Sequence, residues 1–275
     1  MTAVPAIHAH GATIPCIGLG TWNLRGQECA KAVAHALGVG YRHLDTAAMY
    51  GNEEAVGDGV RASGLKRDDV FITTKVWHDS LRDGALQRSA EASLKRLKLE
   101  AVDLLLIHWP NRSVQLKESI GALCDAKRRG LARHIGVANF NSALLDESNR
   151  LATEPLVANQ CEYHPRLDQS RLIAACRAYD MAFVSYSPLG RGEAVHEPAV
   201  VAIAKQHRKT PAQIALRWHM QQPGVIAIPK SANPNRIAEN IAIFDFELTS
   251  TEMDRISAES RPSGRMLDPG WARWD

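Results

Sequence analysis

The stretch LLLIH at 104–108 is a continuous apolar run that ends at a histidine. A short apolar run between helical patterns is typical of a strand buried on both faces of a parallel sheet. The runs YRHLD at 41–45 and FITTK at 71–75 have a similar form and end at Asp45 and Lys75. Because a charge inside such a strand would be costly, these polar residues mark strand ends. Ligand sites form at the carboxyl ends of parallel strands, so these residues are the first candidates for function.

Strand-like runs of this kind recur along the whole chain. Eight of them end near Gly20, Asp45, Lys75, His108, Asn139, Gln160, Tyr186 and Lys230. Amphipathic patterns between them predict helices at 27–37, 53–63, 83–97, 116–129, 143–151 and 169–179. This alternation favours an α/β fold, a closed (β/α)8 TIM barrel, over an open doubly wound sheet.

Two additions to the plain barrel are predicted. An N-terminal β-hairpin at 6–9 and 13–16, turning at Gly11, precedes the first barrel strand. The interval from Tyr186 to Lys230 is the longest, so it has room for an extra helix. We predict helices there at 197–207 and 211–221, since Thr210 suits an N-cap and Pro211 suits the first helical position.

Composition excludes several classes of protein. The chain has 275 residues, 45% of them hydrophobic and 23% charged, and no linker divides it, so we expect a single domain over 1–275. The net charge of +3 gives no electrostatic footprint for nucleic acid. No apolar run is long enough to cross a membrane, and the five cysteines form no CxxC pair. We therefore expect a cytoplasmic monomer whose partner is a small molecule.

Four of the candidate residues have complementary chemistry if their strands stand side by side. They are Asp45, Tyr50, Lys75 and His108. An ammonium near a tyrosine favours the phenolate, so Lys75 is expected to lower the pKa of Tyr50, while Asp45 holds Lys75 charged and oriented. Tyr50 would then act as a general acid, and His108 could donate a hydrogen bond to a carbonyl oxygen. A structural ion pair and a satisfied core histidine are the alternatives for these residues taken singly.

Seven motifs resemble those of the aldo-keto reductase superfamily and occur in the same order. They are LGTW at 19–22, YRHLDTAAMYGNE at 41–53, ITTKVW at 72–77, LLLIHWP at 104–110, IGVANFN at 135–141, YSPLG at 186–190 and IPKSANPNRIAEN at 228–240. Together they cover nearly the whole chain. Within the superfamily the chain looks most like the bacterial 2,5-diketo-D-gluconate reductase branch, including a tail that ends in Trp274 and Asp275.

The resemblance implies a (β/α)8 barrel in which Asp45, Tyr50, Lys75 and His108 form the catalytic tetrad. It implies hydride transfer from a nicotinamide cofactor to an aldehyde or ketone, with Tyr50 as the proton donor. Asn139 and Gln160 would hold the cofactor carboxamide, and Tyr186 would stack on the nicotinamide ring. Further cofactor contacts are expected at Gly20, Thr21, Ser187, Leu189 and Gly190.

The segment after the eighth strand carries an independent signal for a phosphate. No GxGxxG fingerprint is present, so the cofactor must be held in another way. Lys230, Ser231 and Arg236 surround a predicted helix start at Asn233 and Pro234, whose free N–H groups would suit a phosphate. An ordinary capped helix is the alternative interpretation.

The resemblance matches this segment to the adenosine 2′-phosphate site and therefore favours NADPH over NADH. It places Glu239 and Asn240 near the adenine. Two residues depart from the common pattern: Ala138 stands where relatives often carry a serine, and Asn233 stands where some carry an arginine. Both departures concern the affinity for the cofactor and leave the tetrad intact.

Trp22, Trp77 and Trp109 follow strand ends and could wall an aromatic substrate pocket, with packing at the rim as the alternative. The loops beyond the strands are short, so a shallow and permissive site is expected. Small aldehydes, 2-oxoaldehydes, β-keto esters and diketo sugar acids all stay open. The tail at 266–275 is expected to cover part of this site, or alternatively to dock on the outer wall.

Two other functions are compatible with parts of the sequence. One is a regulatory barrel that binds NADPH and turns over slowly, which an intact tetrad disfavours. The other is a metal-dependent barrel hydrolase, since His8 and His10 resemble a metal-binding HxH pair. That pair precedes the Gly11 turn in the predicted hairpin, and no matching carboxylate follows the eighth strand, so no metal site is expected.

Overall fold

A short hairpin precedes the barrel in the structure, a computed structural model that describes residues 4–275. Strand β1 (Ala6–Ala9) pairs antiparallel with β2 (Ala12–Pro15), and the chain turns at Gly11 with φ of 83°. A positive φ of this size favours glycine, which explains the residue at the turn. The hairpin is confirmed, with its second strand one residue earlier than predicted.

Eight parallel strands follow and form the barrel wall. They are β3 (Leu19–Gly20), β4 (His43–Asp45), β5 (Phe71–Val76), β6 (Val102–Ile107), β7 (Ala132–Ala138), β8 (Leu156–Glu162), β9 (Ala182–Tyr186) and β10 (Val225–Ala227). Each strand pairs with the next along the chain. The predicted strand ends agree within two residues, except at β10. That strand ends before Lys230 because Pro229 has no N–H to continue the ladder.

The barrel closes where the first and last strands meet, and we call this junction the barrel seam. The Gly18 N–H donates to the Ala227 carbonyl oxygen at 2.9 Å, and the Gly20 N–H donates to the Pro229 carbonyl oxygen at 3.0 Å. A Cβ at Gly20 would lie 2.7 Å from the Ile228 carbonyl oxygen. Only glycine lets the two strands approach this closely. The closed (β/α)8 barrel is therefore confirmed over the open sheet.

Helices surround the barrel wall. Within residues 4–275 they are α1 (Gly26–Gly38), α2 (Glu53–Ala62), α3 (Ala85–Leu97), α4 (Leu116–Arg128), α5 (Ser142–Leu151), α6 (Ser170–Ala178), α7 (Pro198–His207), α8 (Pro211–Met220), α9 (Pro234–Ile241) and α10 (Ser250–Ser257). The first eight match the predicted helices to within two residues at either end. Helix α10 was not predicted from the sequence, although Thr249 and Glu252 form a capping box that marks its start.

Two apolar layers hold the fold together. The larger layer lies between the strands and the surrounding helices, and the smaller one fills the barrel interior. The hairpin contributes Ala9, Ala12 and Ile14 to the interior layer, so it packs against the inside of the wall. Trp22 follows β3 and is 48% exposed, so the carboxyl end of this strand faces the solvent. The candidate residues Asp45, Lys75 and His108 lie at the same end of the barrel. No helix in the described range is both long and apolar enough to span a bilayer.

Candidate active site

Lys75 is the centre of a buried polar cluster at the carboxyl ends of β4 and β5. Its Nζ donates to Asp45 Oδ1 at 2.5 Å and to the Thr46 carbonyl oxygen at 2.8 Å. The Tyr50 hydroxyl oxygen lies 3.3 Å from the same nitrogen. This arrangement arises because Asp45 pairs in register with Thr73, and Lys75 lies two residues further along β5. The ends of β4 and β5 therefore bring Asp45 and Lys75 into direct contact, and Tyr50 reaches Lys75 from the short helical turn Ala48–Tyr50.

Burial controls the proton affinities in this cluster. It lowers the pKa of Lys75, but the neighbouring Asp45 and Tyr50 together outweigh burial, so the pKa of Lys75 is raised overall. Burial raises the pKa of Tyr50, and the opposing effect of Lys75 does not outweigh it. The sequence-based expectation of a lowered pKa for Tyr50 is therefore wrong in direction. The phenol stays protonated at neutral pH, and Lys75 favours the phenolate once the proton leaves.

His108 completes the group of four. Its ring lies 5.6 Å from that of Tyr50 between centroids, and 5.1 Å from that of Trp77, edge-on in both cases. Burial, with Lys75 and His78 nearby, holds the pKa of His108 well below its ordinary value, so the imidazole is neutral. Among residues 4–275 no partner bonds its buried Nδ1. Nε2 is thus the nitrogen left to contact a substrate oxygen.

Asn139, Gln160 and Tyr186 lie beside the tetrad and are connected to it. The Tyr186 hydroxyl donates to Asn139 Oδ1 at 2.9 Å, and Asn139 Nδ2 donates to the His108 carbonyl oxygen at 2.9 Å. Gln160 Nε2 donates to Asp45 Oδ2 at 2.7 Å. A side-chain amide has two donor hydrogens and two acceptor lone pairs. Both amides therefore keep capacity for a further ligand.

The backbone of Asn139 is also unusual. Its φ is 63°, in the left-handed region, where asparagine is tolerated better than most residues. The chain turns sharply here directly after β7, which ends at Ala138. This conformation lets the Asn139 N–H donate to the Gln160 carbonyl oxygen at 2.9 Å. This backbone hydrogen bond holds the two residues next to each other.

Thr21, one of the predicted cofactor residues, is hydrogen-bonded to the end of β4. Its backbone N–H and its hydroxyl both donate to the Asp45 carbonyl oxygen, at 3.0 Å and 2.9 Å. The side chain is fully buried, and its only proton is used within the protein. Gly20 beside it forms part of the barrel seam. In this structure both residues support the backbone of the tetrad.

The loop after β9 carries three more of the predicted cofactor residues. Ser187 and Gly190 have positive φ values of 50° and 55°, and the Gly190 N–H donates to the Ser187 carbonyl oxygen at 2.8 Å. Leu189 lies between them and packs against the larger apolar layer. This tight turn keeps the loop close to the end of β9, next to Tyr186.

Two exposed cations lie at the start of α9. Within residues 4–275, neither Lys230 nor Arg236 pairs with a carboxylate. Asn233 is the N-cap as predicted, but its Oδ1 accepts from the N–H groups of Asn235 and Arg236 at 2.9 Å and 3.3 Å. The expectation of free N–H groups at this helix start is therefore wrong. The cationic side chains and the helix dipole remain to attract an anion, while Ser231 is largely buried and accepts from the Asn233 N–H at 3.0 Å.

Glu239 and Asn240 lie further along α9. Glu239 Oε1 accepts from the Thr210 hydroxyl at 2.8 Å, which ties α9 to the N-cap of α8. Asn240 is only 4% exposed. The C-terminal half of α9 is thus held against α8, about one helical turn from Arg236.

Aromatic side chains line the open end of the barrel. Trp22 packs edge-on against Tyr50 with ring centroids 4.9 Å apart. Trp77 lies against His108, as described above. Trp109 is only 5% exposed because the C-terminal segment lies over it. Trp22 and Trp77 therefore contact tetrad residues directly, whereas Trp109 is covered by the C-terminal segment.

The segment 266–275, which we call the tail, crosses this end of the barrel. Trp271 packs edge-on against Trp109 with ring centroids 5.1 Å apart and lies 5.6 Å from the ring of His78. Trp274 also contacts Trp109, at 5.9 Å, and the Arg265 guanidinium stacks on its ring. The tail thus lies beside the candidate substrate pocket, and the alternative of docking on the outer wall is wrong.

Sequence reasoning missed the residues that anchor this tail. The buried Glu162 carboxylate accepts from the N–H groups of Met266 and Leu267 at 2.6 Å and 2.8 Å. Asp275 accepts from both the N–H and the hydroxyl of Ser142 at the start of α5. A signal for Glu162 was available. It lies two residues beyond Gln160 on the same face of β8, where an acidic side chain needs a partner.

The HxH pair in the hairpin has other partners. His8 Nδ1 lies 3.2 Å from the Thr13 hydroxyl oxygen, and His10 Nε2 lies 2.7 Å from the Tyr179 carbonyl oxygen. In the part of the chain that the structure describes, no three potential metal ligands come together.

Comparisons with known proteins agree with the fold. The aldo/keto reductase family profile matches residues 16–260. A crystal structure provisionally assigned as 2,5-diketo-D-gluconic acid reductase B superposes with a TM-score of 0.97 at 43% identity, covering 99% of this chain and 98% of that one. The Bombyx mori aldo-keto reductase in complex with NADP has a TM-score of 0.90 at 35% identity, covering 98% and 96%. Methylglyoxal reductase DkgA of Yersinia pestis is 41% identical over 277 residues, covering 98% of this chain and 97% of its own length.

The fold and the site together define a (β/α)8 barrel with a buried Lys75–Asp45 ion pair beside Tyr50 at the carboxyl ends of its strands. With the family match spanning most of its length, the chain belongs to the aldo/keto reductase family. The family and the branch that its motifs resembled are both supported by these relatives.

Proposed function

We propose that this protein reduces aldehydes and ketones to alcohols with NADPH, and that Tyr50 supplies the proton. The observation that carries the proposal is the position of Lys75 Nζ, 3.3 Å from the Tyr50 hydroxyl oxygen and 2.5 Å from Asp45 Oδ1. An ammonium in this position stabilises negative charge on the phenol oxygen, while Asp45 fixes it in place.

The chemistry needs one hydride and one proton for each carbonyl group. NADPH, when bound, supplies the hydride to the carbonyl carbon. The Tyr50 O–H bond breaks as its proton moves to the carbonyl oxygen, which leaves a phenolate beside Lys75. His108, neutral because its pKa is low, donates a hydrogen bond from Nε2 to the same oxygen and polarises the carbonyl group. The raised pKa of Tyr50 keeps the donor protonated between turnovers.

The residues present fit a nicotinamide cofactor with a 2′-phosphate. Asn139 and Gln160 retain hydrogen-bonding capacity for a carboxamide beside the tetrad, and Tyr186 lies next to them. Lys230 and Arg236 are exposed cations at the start of a helix, which suits a phosphate dianion. The relative from Bombyx mori was solved with NADP, which supports the same choice here.

For the substrate we propose 2-oxoaldehydes and diketo sugar acids first, followed by small aldehydes and β-keto esters. The names of two relatives, a methylglyoxal reductase and a 2,5-diketo-D-gluconic acid reductase, support this order. Trp22 and Trp271 are 48% and 43% exposed, so the pocket has an open aromatic wall. An open wall suits small substrates of varied shape.

Steady-state oxidation of NADPH with a panel of these carbonyl compounds tests the function. We expect turnover with at least one class, a lower kcat/KM with NADH, and no oxidation without a carbonyl substrate. Tight NADPH binding without turnover of any compound would overturn the proposal and favour a regulatory, cofactor-binding barrel.

We also propose that residues 1–275 form one domain and that the protein is a cytoplasmic monomer. Size-exclusion chromatography measures the oligomeric state.

A further inference from the structure

Gln160 contacts the tetrad from the far side of the barrel. Strands β4 and β8 are not neighbours, since β5, β6 and β7 lie between them in the sheet. Gln160 nevertheless reaches across the interior, and its Nε2 donates to Asp45 Oδ2 at 2.7 Å. Both residues are only 2% exposed. The nitrogen end of the amide must face Asp45, because two oxygen atoms at this distance would repel each other.

This contact completes the coordination of a buried carboxylate. Asp45 Oδ1 accepts from Lys75, and Oδ2 accepts from Gln160. Without the amide donor, one oxygen of a buried charged group would lose its partner, and such groups are costly to leave unpaired. The carboxylate would then be free to rotate or shift, and Lys75 would lose the fixed acceptor that holds it near Tyr50.

We propose that Gln160 is a positioning residue that acts through Asp45: its amide N–H fixes the carboxylate that holds Lys75 against Tyr50, while its Oε1 stays available for the cofactor carboxamide. The proposal rests on the proposed function. Gln160 thereby connects the cofactor site to the Asp45–Lys75 ion pair that orients the proton donor.

The variant Gln160→Glu separates this role from simple cofactor binding. A protonated carboxyl group at position 160 donates to Asp45 as the amide does, whereas an ionised one faces a second carboxylate at hydrogen-bonding distance and repels it. A carboxyl oxygen still accepts from a carboxamide in both states. We therefore expect kcat of this variant for aldehyde reduction to fall about ten- to a hundredfold, relative to its own value at low pH, after the shared proton is lost. Wild type should lack this additional loss.

The double variant Asp45→Asn/Gln160→Glu is the matched control. With a neutral amide at position 45 there is no second carboxylate, so the additional pH dependence of kcat should disappear relative to Asp45→Asn alone. The NADPH dissociation constant, followed by fluorescence quenching at each pH, should change less than kcat. If the added pH dependence lies in NADPH binding, or persists in the double variant, the positioning role is wrong.

A further variant keeps the test decisive if Gln160→Glu does not fold. Gln160→Leu removes the donor with similar volume, and we expect kcat to fall about tenfold or more in a protein whose thermal unfolding is still cooperative. A kcat within about twofold of wild type, with only NADPH binding weakened, would overturn the positioning role. Failure of wild type to reduce any carbonyl compound would instead overturn the proposed function, so the two failures are distinguishable.

Discussion

The Lys75 ammonium nitrogen lies 3.3 Å from the Tyr50 hydroxyl oxygen, and the side chains of Lys75 and its partner Asp45 are almost fully shielded from solvent. Burial raises the pKa of Tyr50, so this contact does not create a phenolate at rest. Its effect is felt when the proton moves, because the negative charge then develops beside a fixed positive one.

We expect Tyr50→Phe to lose most of kcat for aldehyde reduction, since positioned acid catalysis contributes roughly 10²–10⁴-fold. NADPH binding, measured by fluorescence quenching, should be retained because the phenol is needed only for the proton. Tyr163→Phe is a matched control: its hydroxyl donates to Gln222 at 2.7 Å, outside the tetrad. A Tyr50→Phe enzyme with near wild-type kcat would rule out Tyr50 as the donor.

Arg236→Ala should reduce the preference for NADPH over NADH. A hydrogen bond to a charged group contributes about 1.5–3 kcal/mol, so NADPH binding should weaken roughly ten- to a hundredfold. NADH lacks the phosphate and should be little affected. The change should appear in KM for NADPH with kcat largely kept, and Lys230→Met should act in the same direction without simple additivity. Equal efficiency of the wild type with both cofactors would contradict the phosphate assignment.

Deleting residues 270–275 should raise KM for the carbonyl substrate or change substrate preference. The deletion removes Trp271, whose ring lies 5.1 Å from that of Trp109, and therefore opens one side of the pocket. The NADPH dissociation constant should stay within about twofold, well under the tenfold that about 1.4 kcal/mol would produce. Trp271→Ala is the milder companion variant. Unchanged KM for several aldehydes would show that the tail does not contribute to the pocket.

Acid should destabilise the barrel partly through His43. Burial lowers the pKa of this residue from 6.5 to about 4, so the folded protein holds it neutral while the unfolded chain protonates it. The contribution of neutral His43 to the free energy of unfolding is fully present above about pH 6.5. It is lost as pH falls towards about 4, and the total loss is on the order of 3 kcal/mol. His43→Gln should show a flatter fall in the free energy of unfolding over this range, measured by urea denaturation. Parallel curves for variant and wild type would contradict this assignment.

Removing metal ions should leave the reductase activity unchanged. In the part of the chain that the structure describes, no cluster of potential metal ligands exists, and Lys75 supplies the positive charge beside Tyr50. Activity should therefore survive prolonged treatment with EDTA, assayed by NADPH oxidation. Loss of activity that zinc restores would support the metal-dependent hydrolase interpretation instead.

Asp45, Lys75 and His108 could be placed near one another from the sequence because they lie at strand ends, which the apolar runs mark clearly, whereas Tyr50 lies in the short helical turn Ala48–Tyr50 after β4. Asp45 and Lys75 needed only the knowledge that neighbouring parallel strands finish at the same edge. The contact between Gln160 and Asp45 could not be predicted in this way, because it crosses the barrel between strands that are distant in the sheet. Such contacts depend on the curvature of the closed wall, which no local pattern encodes.

Other details depend on burial and on competition for hydrogen bonds. The direction of the pKa shift at Tyr50 was missed because a sequence shows the neighbouring charge but not the loss of solvent. Asn233 was correctly predicted to be the N-cap. Because its side chain accepts hydrogen bonds from the N–H groups of Asn235 and Arg236, those groups are not free to bind a phosphate. In both cases the sequence indicated the chemistry that the residue could perform, and the folded environment decided which of the competing effects prevails.

The barrel seam has a consequence for the order of events during synthesis. It joins Gly18 and Gly20 to Ala227 and Pro229, which are about three quarters of the chain length apart. Until the last of these residues emerges from the ribosome, β3 and β9 are the two edge strands of an open sheet, and their outer backbone groups are unpaired. Loop closure over such a distance is slow, so closure of the wall is a late step in folding. Before that step the growing chain holds a curved sheet whose two edges are open to pairing with other chains.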